Sequence, residues 1–471
     1  MSSNAENEHF CDGITEEIIN ALAKINELKV TSRTSSFHFK NKELPIVEIS
    51  KSLNVAIILE GSVRLSGEMI RITAQLIQAE DDFHFWSETW DRKLENIFEI
   101  QDEISLLIAD KIRENFGHFE LQDHLVKKQT EDINAYEYSL LASFHKNKWN
   151  VDDVKLAEEL YLKAIETDAN HVESIVGLSD AYSFMAMTGA MSFEEAWVKS
   201  SELVNRAMEI DPKNPEIYYQ KANSAFFTEC DFDASLKYAH QAIQLKPNYV
   251  EAQQFLSFLY VVSDKNDAAK KHLDIALGID PLSQETLFFK AYFDYMTENY
   301  APSLIQLNEC LAVNPKNIPA HAVKCLCLLK MGRFDDVIHY YDDPTIQMVE
   351  GDKIGVIGLG YVLKGDAENA EKYMTMLQEQ AKSPDGFTQD SFVFMMHVAM
   401  GNTELAFDWI STGIKTKASL LLLRYADPII GSLKSDPRYD TFYRILFPVN
   451  EAIQKPKKKE LLDSESAEQF K

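Results

Sequence analysis

The run DASLKYAHQAIQLKPNYV, Asp233 to Val250, decides how this chain folds. It returns one step later as DAAKKHLDIALGIDPLSQ, Asp267 to Gln284, and again as YAPSLIQLNECLAVNPKNI, Tyr300 to Ile318. Pro247, Pro281 and Pro315 stand 34 residues apart. Each follows an apolar run with helical spacing, and proline there ends a helix. Small residues keep the same step: Asn223, Ser257, Ala291 and Cys325; Ser235, Ala269, Ser303 and Val337; Ala242, Ala276 and Cys310. Small side chains at fixed points let two antiparallel helices approach closely, while apolar neighbours fill the space between one hairpin and the next. One hairpin cannot bury its own apolar face, so stability has to come from stacking, and stacking builds a curved solenoid with a concave surface.

The period and its markers resemble the tetratricopeptide repeat, a helix-turn-helix unit of this length. An earlier unit, LAEELYLKAIETDANH, places Ala157 and Ala164 seven apart and has Ala169 at the proline position. The unit ending at Asp211 and Pro212 has Ala196 and Ala207 eleven apart, which predicts about one extra helical turn. Later units lose the proline and keep a turn glycine at Gly332, Gly365 and Gly401. About eight units are expected between residues 134 and 423, the last three degenerate.

By the geometry that this resemblance implies, the first helix of each unit lines the concavity. It places there Gln220, Ser224 and Phe227, then Gln254, Phe258 and Val261, then Phe288, Tyr292 and Tyr295. These nine are the candidate groove for a protein or peptide partner. Interface hot spots favour rings such as Tyr, but aromatic residues of a solenoid more often serve its core, and packing is the weightier expectation. The family's clamp for a free peptide carboxylate needs Lys and Asn where this chain has Gln220, Ser224, Gln254 and Phe258, so that mode is not expected.

Up to about Leu125 the pattern alternates between helix and strand. Asp12 reads as the N-cap of a helix carrying Ile14, Ile18, Ile19, Leu22 and Ile25, with Glu16 and Glu17 near its positive end. Leu28 to Thr31 reads as a short strand and about Ile46 to Leu53 as a helix. Ala56 to Leu65 and Met69 to Ile77 form a hairpin, in which Ile70, Ile72, Ala74 and Leu76 alternate with polar neighbours. Phe83, Phe85 and Glu88 to Trp90 suggest a further strand, and Ile97 to Phe116 a long amphipathic helix.

CDGITEEIINALAKI, TSRTSSFHFK, LEGSVRLSGEMIRITAQLI and WSETWDRKLENIFEIQDEISLLIA resemble the domain related to the amino-terminal part of TolB that bacteria place before tetratricopeptide arrays. RYADPIIGSLKSDPRYDTFYRIL, Arg424 to Leu446, resembles the end of those proteins. The resemblance implies a sensory or interaction segment, often set behind a DNA-binding or cyclase domain. That family begins with an apolar strand, and this chain starts at Met1 about where the turn after it would end. The first strand of the sheet is therefore expected to be missing, which would leave an unpaired edge open to self-association, and an effector domain upstream of Met1 is an alternative reading.

Residues that carry chemistry are sparse. Gly355, Gly358, Gly360 and Gly365 tempt a phosphate-loop reading, yet Asp366 and Ala367 stand where its Lys and Ser or Thr should be, and the repeat period assigns the run to a helical hairpin. Arg33 to Ser36 reads as a loop closed by hydroxyl-to-backbone bonds rather than an anion nest. Glu60, Asp91 and Glu103 read as solvated or salt-bridged surface. The 12 histidines show no ligand spacing, and Cys11, Cys230, Cys310, Cys325 and Cys327 read as buried thiols of a reducing compartment.

With 47 basic and 74 acidic side chains, a formal net charge of −27, nucleic acid is a poor partner for this chain. The longest apolar stretches, such as Ala418 to Leu423, are far too short to cross a membrane. The expected organisation is α+β. A small α/β domain over residues 1–125 precedes an all-α superhelical solenoid over 134–450, and a disordered tail containing KPKKK fills 451–471. The expected function is a non-enzymatic cytoplasmic adaptor in bacterial signalling that uses no metal or cofactor. An enzyme or small-ligand binder built on the α/β domain is the third reading.

Overall fold

A computed structural model of the chain describes residues 5–25, 28–40, 42–93, 95, 97–116, 123–126, 128–346, 349–380, 387–418 and 420–448. The tail expected to be disordered lies outside these residues.

The first elements are α1 (Ala5–Leu22), α2 (Arg33–Phe37), α3 (Ile46–Leu53), β1 (Ile57–Ser66), β2 (Met69–Gln78), β3 (Phe83–Lys93) and α4 (Ile97–Phe116). The strands form an antiparallel sheet in the order β1-β2-β3. In β2, Ile70, Ile72, Ala74 and Leu76 are buried and Met69 and Arg71 are exposed, as period-two alternation demands. Leu76 and Ile77 are both buried because the register against β3 shifts between them, and such a bulge turns consecutive side chains the same way. The buried face packs on Ile14, Ile18 and Leu22 of α1 and on Ile100, Ile104 and Ile108 of α4. This core continues into the next helix, α5 (Ile133–Lys146), through Tyr136 and Leu140. There Gln101 Nε2 donates to the buried Tyr136 hydroxyl at 2.7 Å. Among the described residues β1 and β3 each pair on one side.

Two readings are corrected here. Asp12 is not an N-cap: α1 starts at Ala5, and the Asp12 carboxylate is buried within the helix with Lys40 Nζ at 2.6 Å. Leu28 to Thr31 forms no strand. Its continuation bonds to the solenoid instead of to the sheet, Ser32 N donating to Ile279 O at 3.0 Å.

Helical hairpins then stack one on another. They are α5 with α6 (Val151–Thr167), α7 (Val172–Thr188) with α8 (Phe193–Ile210), and α9 (Pro215–Phe227) with α10 (Phe232–Leu245). Next come α11 (Val250–Val262) with α12 (Asn266–Ile279), α13 (Gln284–Met296) with α14 (Tyr300–Val313), and α15 (Ile318–Lys330) with the short α16 (Phe334–Ile338). The last are α17 (Glu350–Lys364) with α18 (Ala367–Gln380) and α19 (Phe387–Ala399) with α20 (Thr403–Thr416). After α21 (Leu421–Ala426), a 3-10 segment (Pro428–Ser435) and α22 (Pro437–Leu446) close the array. The unit with the eleven-residue alanine spacing has helices of 17 and 18 residues where the following unit has 13 and 14, so the extra turn is present in both.

Each hairpin turns on one residue with left-handed backbone: Trp149, Gly189, Cys230, Asp264, Glu298, Gly332, Gly365 and Gly401. A left-handed residue reverses the chain in few atoms and stops the first helix. Gly355 serves packing, not phosphate: it lies in α17, and a Cβ there would overlap the Phe392 ring of α19.

The array winds far enough to meet itself. Asn314 Nδ2 donates to Trp149 O at 3.2 Å and Lys316 Nζ to Asp152 Oδ2 at 2.5 Å, joining the first unit to the end of the fifth. Farther on, Tyr443 Oη donates to Ser263 O at 2.7 Å, and the rings of Phe447 and Phe232 meet at 5.1 Å. Cys230 is half-buried and Cys310, Cys325 and Cys327 are buried, all four unoxidised. No helix among the described residues is long and apolar enough to cross a membrane.

Candidate functional site

Stacking places the first helix of each unit on the inner side of the superhelix, where it meets two segments from outside the repeats. On one side stand α1 and the segment after it, with Glu16, Glu17, Val30, Ser32 and Arg33. On the other stand Leu420, Leu423, Arg424 and Asp427. Between them lies a chamber of about 560 Å³ whose wall also includes residues of α5, α7, α9, α11 and α13.

The α1 side is held by the TSRTSS segment, Thr31 to Ser36. Arg33 to Ser36, expected as a loop, instead form the start of the short helix α2. Ser32 caps it, accepting from Ser35 N at 3.4 Å, and Ser36 Oγ donates to Ser32 O, so the hydroxyl-to-backbone bonds close a helical turn. The same helix grips the solenoid. Ser35 N and Oγ both donate to Asp280 Oδ1, at 3.2 and 2.6 Å, and Leu282 N donates back to Ser35 Oγ at 2.9 Å. Arg33 pairs with Glu16 at 3.1 Å and lies 5.5 Å from the centre of the Phe144 ring. The opposite side is held by Tyr295, whose hydroxyl donates to Asp427 Oδ1 at 2.6 Å, and by Lys330 Nζ, which donates to Pro428 O at 2.9 Å.

Of the nine groove residues expected from the repeat register, Gln220, Phe227, Gln254, Phe258, Phe288 and Tyr292 line this chamber. The other three lie off its wall. Ser224 is hydrogen-bonded to Thr228 at the C-cap of its own helix, Val261 is buried in the core, and Tyr295 is fully buried because the segment bearing Asp427 folds over it. The aromatic members also pack on one another: Phe258 and Tyr292 are 5.5 Å apart, and Phe288 and Tyr292 6.2 Å. Gln220 is tied into a polar chain. Its Nε2 donates to Asp180 Oδ1 at 2.7 Å, its Oε1 accepts from Ser183 at 3.1 Å, and Lys146 Nζ donates to Asp180 Oδ2 at 2.6 Å.

The repeat register did not single out the ionisable residues of the wall. Ten carboxylates face it against five cationic side chains, so the chamber carries an acidic excess. Burial, then the neighbouring Glu16 and Glu173, push the Glu17 carboxyl up to about 8. Burial raises Glu216, and burial followed by Glu251 and Asp180 holds Glu285 well above the usual carboxylate range. Burial pulls Lys146 down, but Asp180 outweighs it and keeps the ammonium charged. One signal was available: Glu216, Glu251 and Glu285 each stand second in a first helix, about one repeat apart.

Fold and chamber together define a tetratricopeptide-like α-solenoid whose concavity is partly filled by segments of its own chain. No family model matches the chain. It is similar to putative adenylate cyclase 3 of Rhizobium meliloti (strain 1021), 30% identical over 230 residues, which is 47% of this chain and 38% of that protein. The chain thus spans less than half the length of the curated relative it matches. Among solved structures it is similar to Rap protein complexed with competence and sporulation factor (12% identical, 68% of this chain and 98% of that chain, TM-score 0.48). It is also similar to yeast Tom70 (14% identical, 74% and 77%, 0.35) and to a tetratricopeptide repeat protein from Parabacteroides merdae ATCC 43184 (15% identical, 56% and 98%, 0.36).

Proposed function

We propose that this chain is a protein-interaction module, a non-enzymatic adaptor in bacterial signalling or regulation that holds a protein or peptide segment on the concave side of its solenoid. What supports the reading is the chamber itself. Rings of successive first helices, Phe227, Phe258, Phe288 and Tyr292, share one wall with polar groups on a rigid scaffold, the composition of a recognition site. The test is capture of a partner by the immobilised chain, comparing wild type with Phe288→Ala and Tyr292→Ala. The reading expects capture to drop at least tenfold, and unchanged capture overturns it.

A second reading is favoured by the relationship to a putative adenylate cyclase: the chain acts as the sensory segment of a larger regulator or nucleotide cyclase. In-frame coding sequence upstream of Met1 for a helix-turn-helix or cyclase domain supports it, and a stop codon immediately upstream removes it.

A further inference from the structure

The wall's charges sort into those that are satisfied and those that are not. Arg33 is paired with Glu16, Lys146 with Asp180 and Lys148 with Asp153. Asp280 and Asp427 accept hydroxyls from Ser35 and Tyr295. Glu17 accepts from Gln129, Glu173 lies 3.7 Å from His171 and Asp352 4.0 Å from Arg424, while the Lys246 ammonium sits over the Tyr249 ring at 5.2 Å. That leaves Glu216, Glu251 and Glu285, whose carboxylates make no hydrogen bond or ion pair with the described residues. An acid in a helix's first turn is favoured by the macrodipole whatever it faces, so these three alone would not mark a site.

Two further side chains do. Gln254, 1% exposed, gives its Nε2 to Thr286 at 2.7 Å, while its Oε1 has no partner. Trp197, 4% exposed, has no acceptor for its indole N–H. Both line the chamber. Gln284 Oε1 and Asp352 Oδ1, on the same wall, are likewise buried without a hydrogen-bond partner. A buried polar atom without a partner costs on the order of 1–3 kcal/mol, so the empty wall is short of donors, of an acceptor for Trp197 and of positive charge. A peptide unit supplies the first two through its C=O and N–H. Lysine or arginine supplies the third, and such a cation also suits aromatic walls. A metal ion fits less well, because among the described residues no three His, Cys, Asp or Glu side chains converge as ligands. A volume of about 560 Å³ suits a few residues.

We propose that the chamber binds a short peptide segment bearing lysine or arginine, with the basic side chain against Glu216, Glu251 and Glu285 and the peptide backbone paired with Gln254 and Trp197. The assignment rests on the interaction reading above and adds the chemistry of the ligand. The same cationic chemistry could be offered by a free polyamine, which lacks the carbonyl that Trp197 calls for.

Calorimetric titration of the full chain with trilysine, trialanine, triglutamate and spermidine tests it. Trilysine is expected to bind at least tenfold more tightly than trialanine or triglutamate. Glu251→Gln and Glu285→Gln, each confirmed folded by circular dichroism, are expected to weaken trilysine about three- to tenfold. Equal binding of trialanine and trilysine, or full binding by both variants, overturns the cation assignment while leaving the interaction reading intact. Spermidine binding without trilysine overturns the peptide assignment. If none of the four binds, the proposal falls, and partner capture sensitive to Phe288→Ala then decides whether the interaction reading falls with it.

Discussion

The hydroxyl of Ser35 donates to Oδ1 of Asp280 across 2.6 Å, joining residues 245 positions apart. Asp280 is 5% exposed, and Ser35 returns the contact by accepting from Leu282 N. One hydroxyl therefore serves two buried groups and fastens the sheet-bearing segment to the repeats.

Ser35→Ala leaves the buried Asp280 carboxylate with the Ser32 hydroxyl and the backbone N–H of residue 35, and strands the Leu282 amide. An unpaired buried polar group costs about 1–3 kcal/mol. Urea unfolding should show a loss in that range. A loss below about 0.5 kcal/mol would mean the latch is not formed in solution.

Tyr295→Phe probes the opposite side in the same way. The phenol is fully buried, and its loss leaves Asp427, also buried, still accepting from the Ile429 N–H at 2.9 Å but without the hydroxyl. We expect destabilisation of about 1–3 kcal/mol, together with faster amide exchange across Leu421–Ser435. Unchanged exchange there would show that the closing segment is held by its apolar contacts alone.

The hairpin turns give a reciprocal pair. Glu298 sits at φ 62°, which strains an L residue by about 1–2 kcal/mol, whereas Gly332 occupies the equivalent turn at φ 73° with nothing within 4 Å of an added Cβ. Glu298→Gly should stabilise by up to about 1 kcal/mol after the entropy of glycine is subtracted, and Gly332→Ala should destabilise by about 1 kcal/mol. Guanidinium denaturation of both variants checks the pair, and shifts of the same sign would contradict it.

Stability should also depend on pH through Glu17, whose carboxyl stands at about 8 because of burial and the charges of Glu16 and Glu173, opposed by Lys24 and Lys246. Gln129 Nε2 donates to it at 3.1 Å. The folded value lies above the ordinary 4.5, so the folded chain binds this proton more tightly than the unfolded chain. The group's stabilising contribution is complete below about pH 4.5 and is lost as pH rises toward about 8. Between pH 5 and pH 8, wild type should lose stability relative to Glu17→Gln in paired urea titrations, and parallel curves would refute the shift.

The repeat could be read from the chain because its causes are local. Pro247, Pro281 and Pro315 stop helices, small residues such as Ala242 and Ala276 mark helix contacts, and the alternation from Ile70 to Leu76 marks a strand with one buried face. The candidate site was legible only in part. Repeat register led to Phe258, Phe288 and Tyr292, but gave no warning that Tyr295 would be covered by the segment bearing Asp427.

Sequence alone determined the unit, its period, the extra turn between Ala196 and Ala207, and the hairpin of β1 and β2. Tertiary structure decided what that unit could not contain: that α1 begins before Asp12, that Leu28 to Thr31 leaves the sheet for the solenoid, and that a chamber forms between Glu17 and Asp427. The physical reason is accumulation. Each hairpin is rotated slightly on the last, and only after several units does the summed rotation bring Trp149 to Asn314 and Ser263 to Tyr443. Contacts across 165 and 180 residues leave no periodic trace in the chain that makes them.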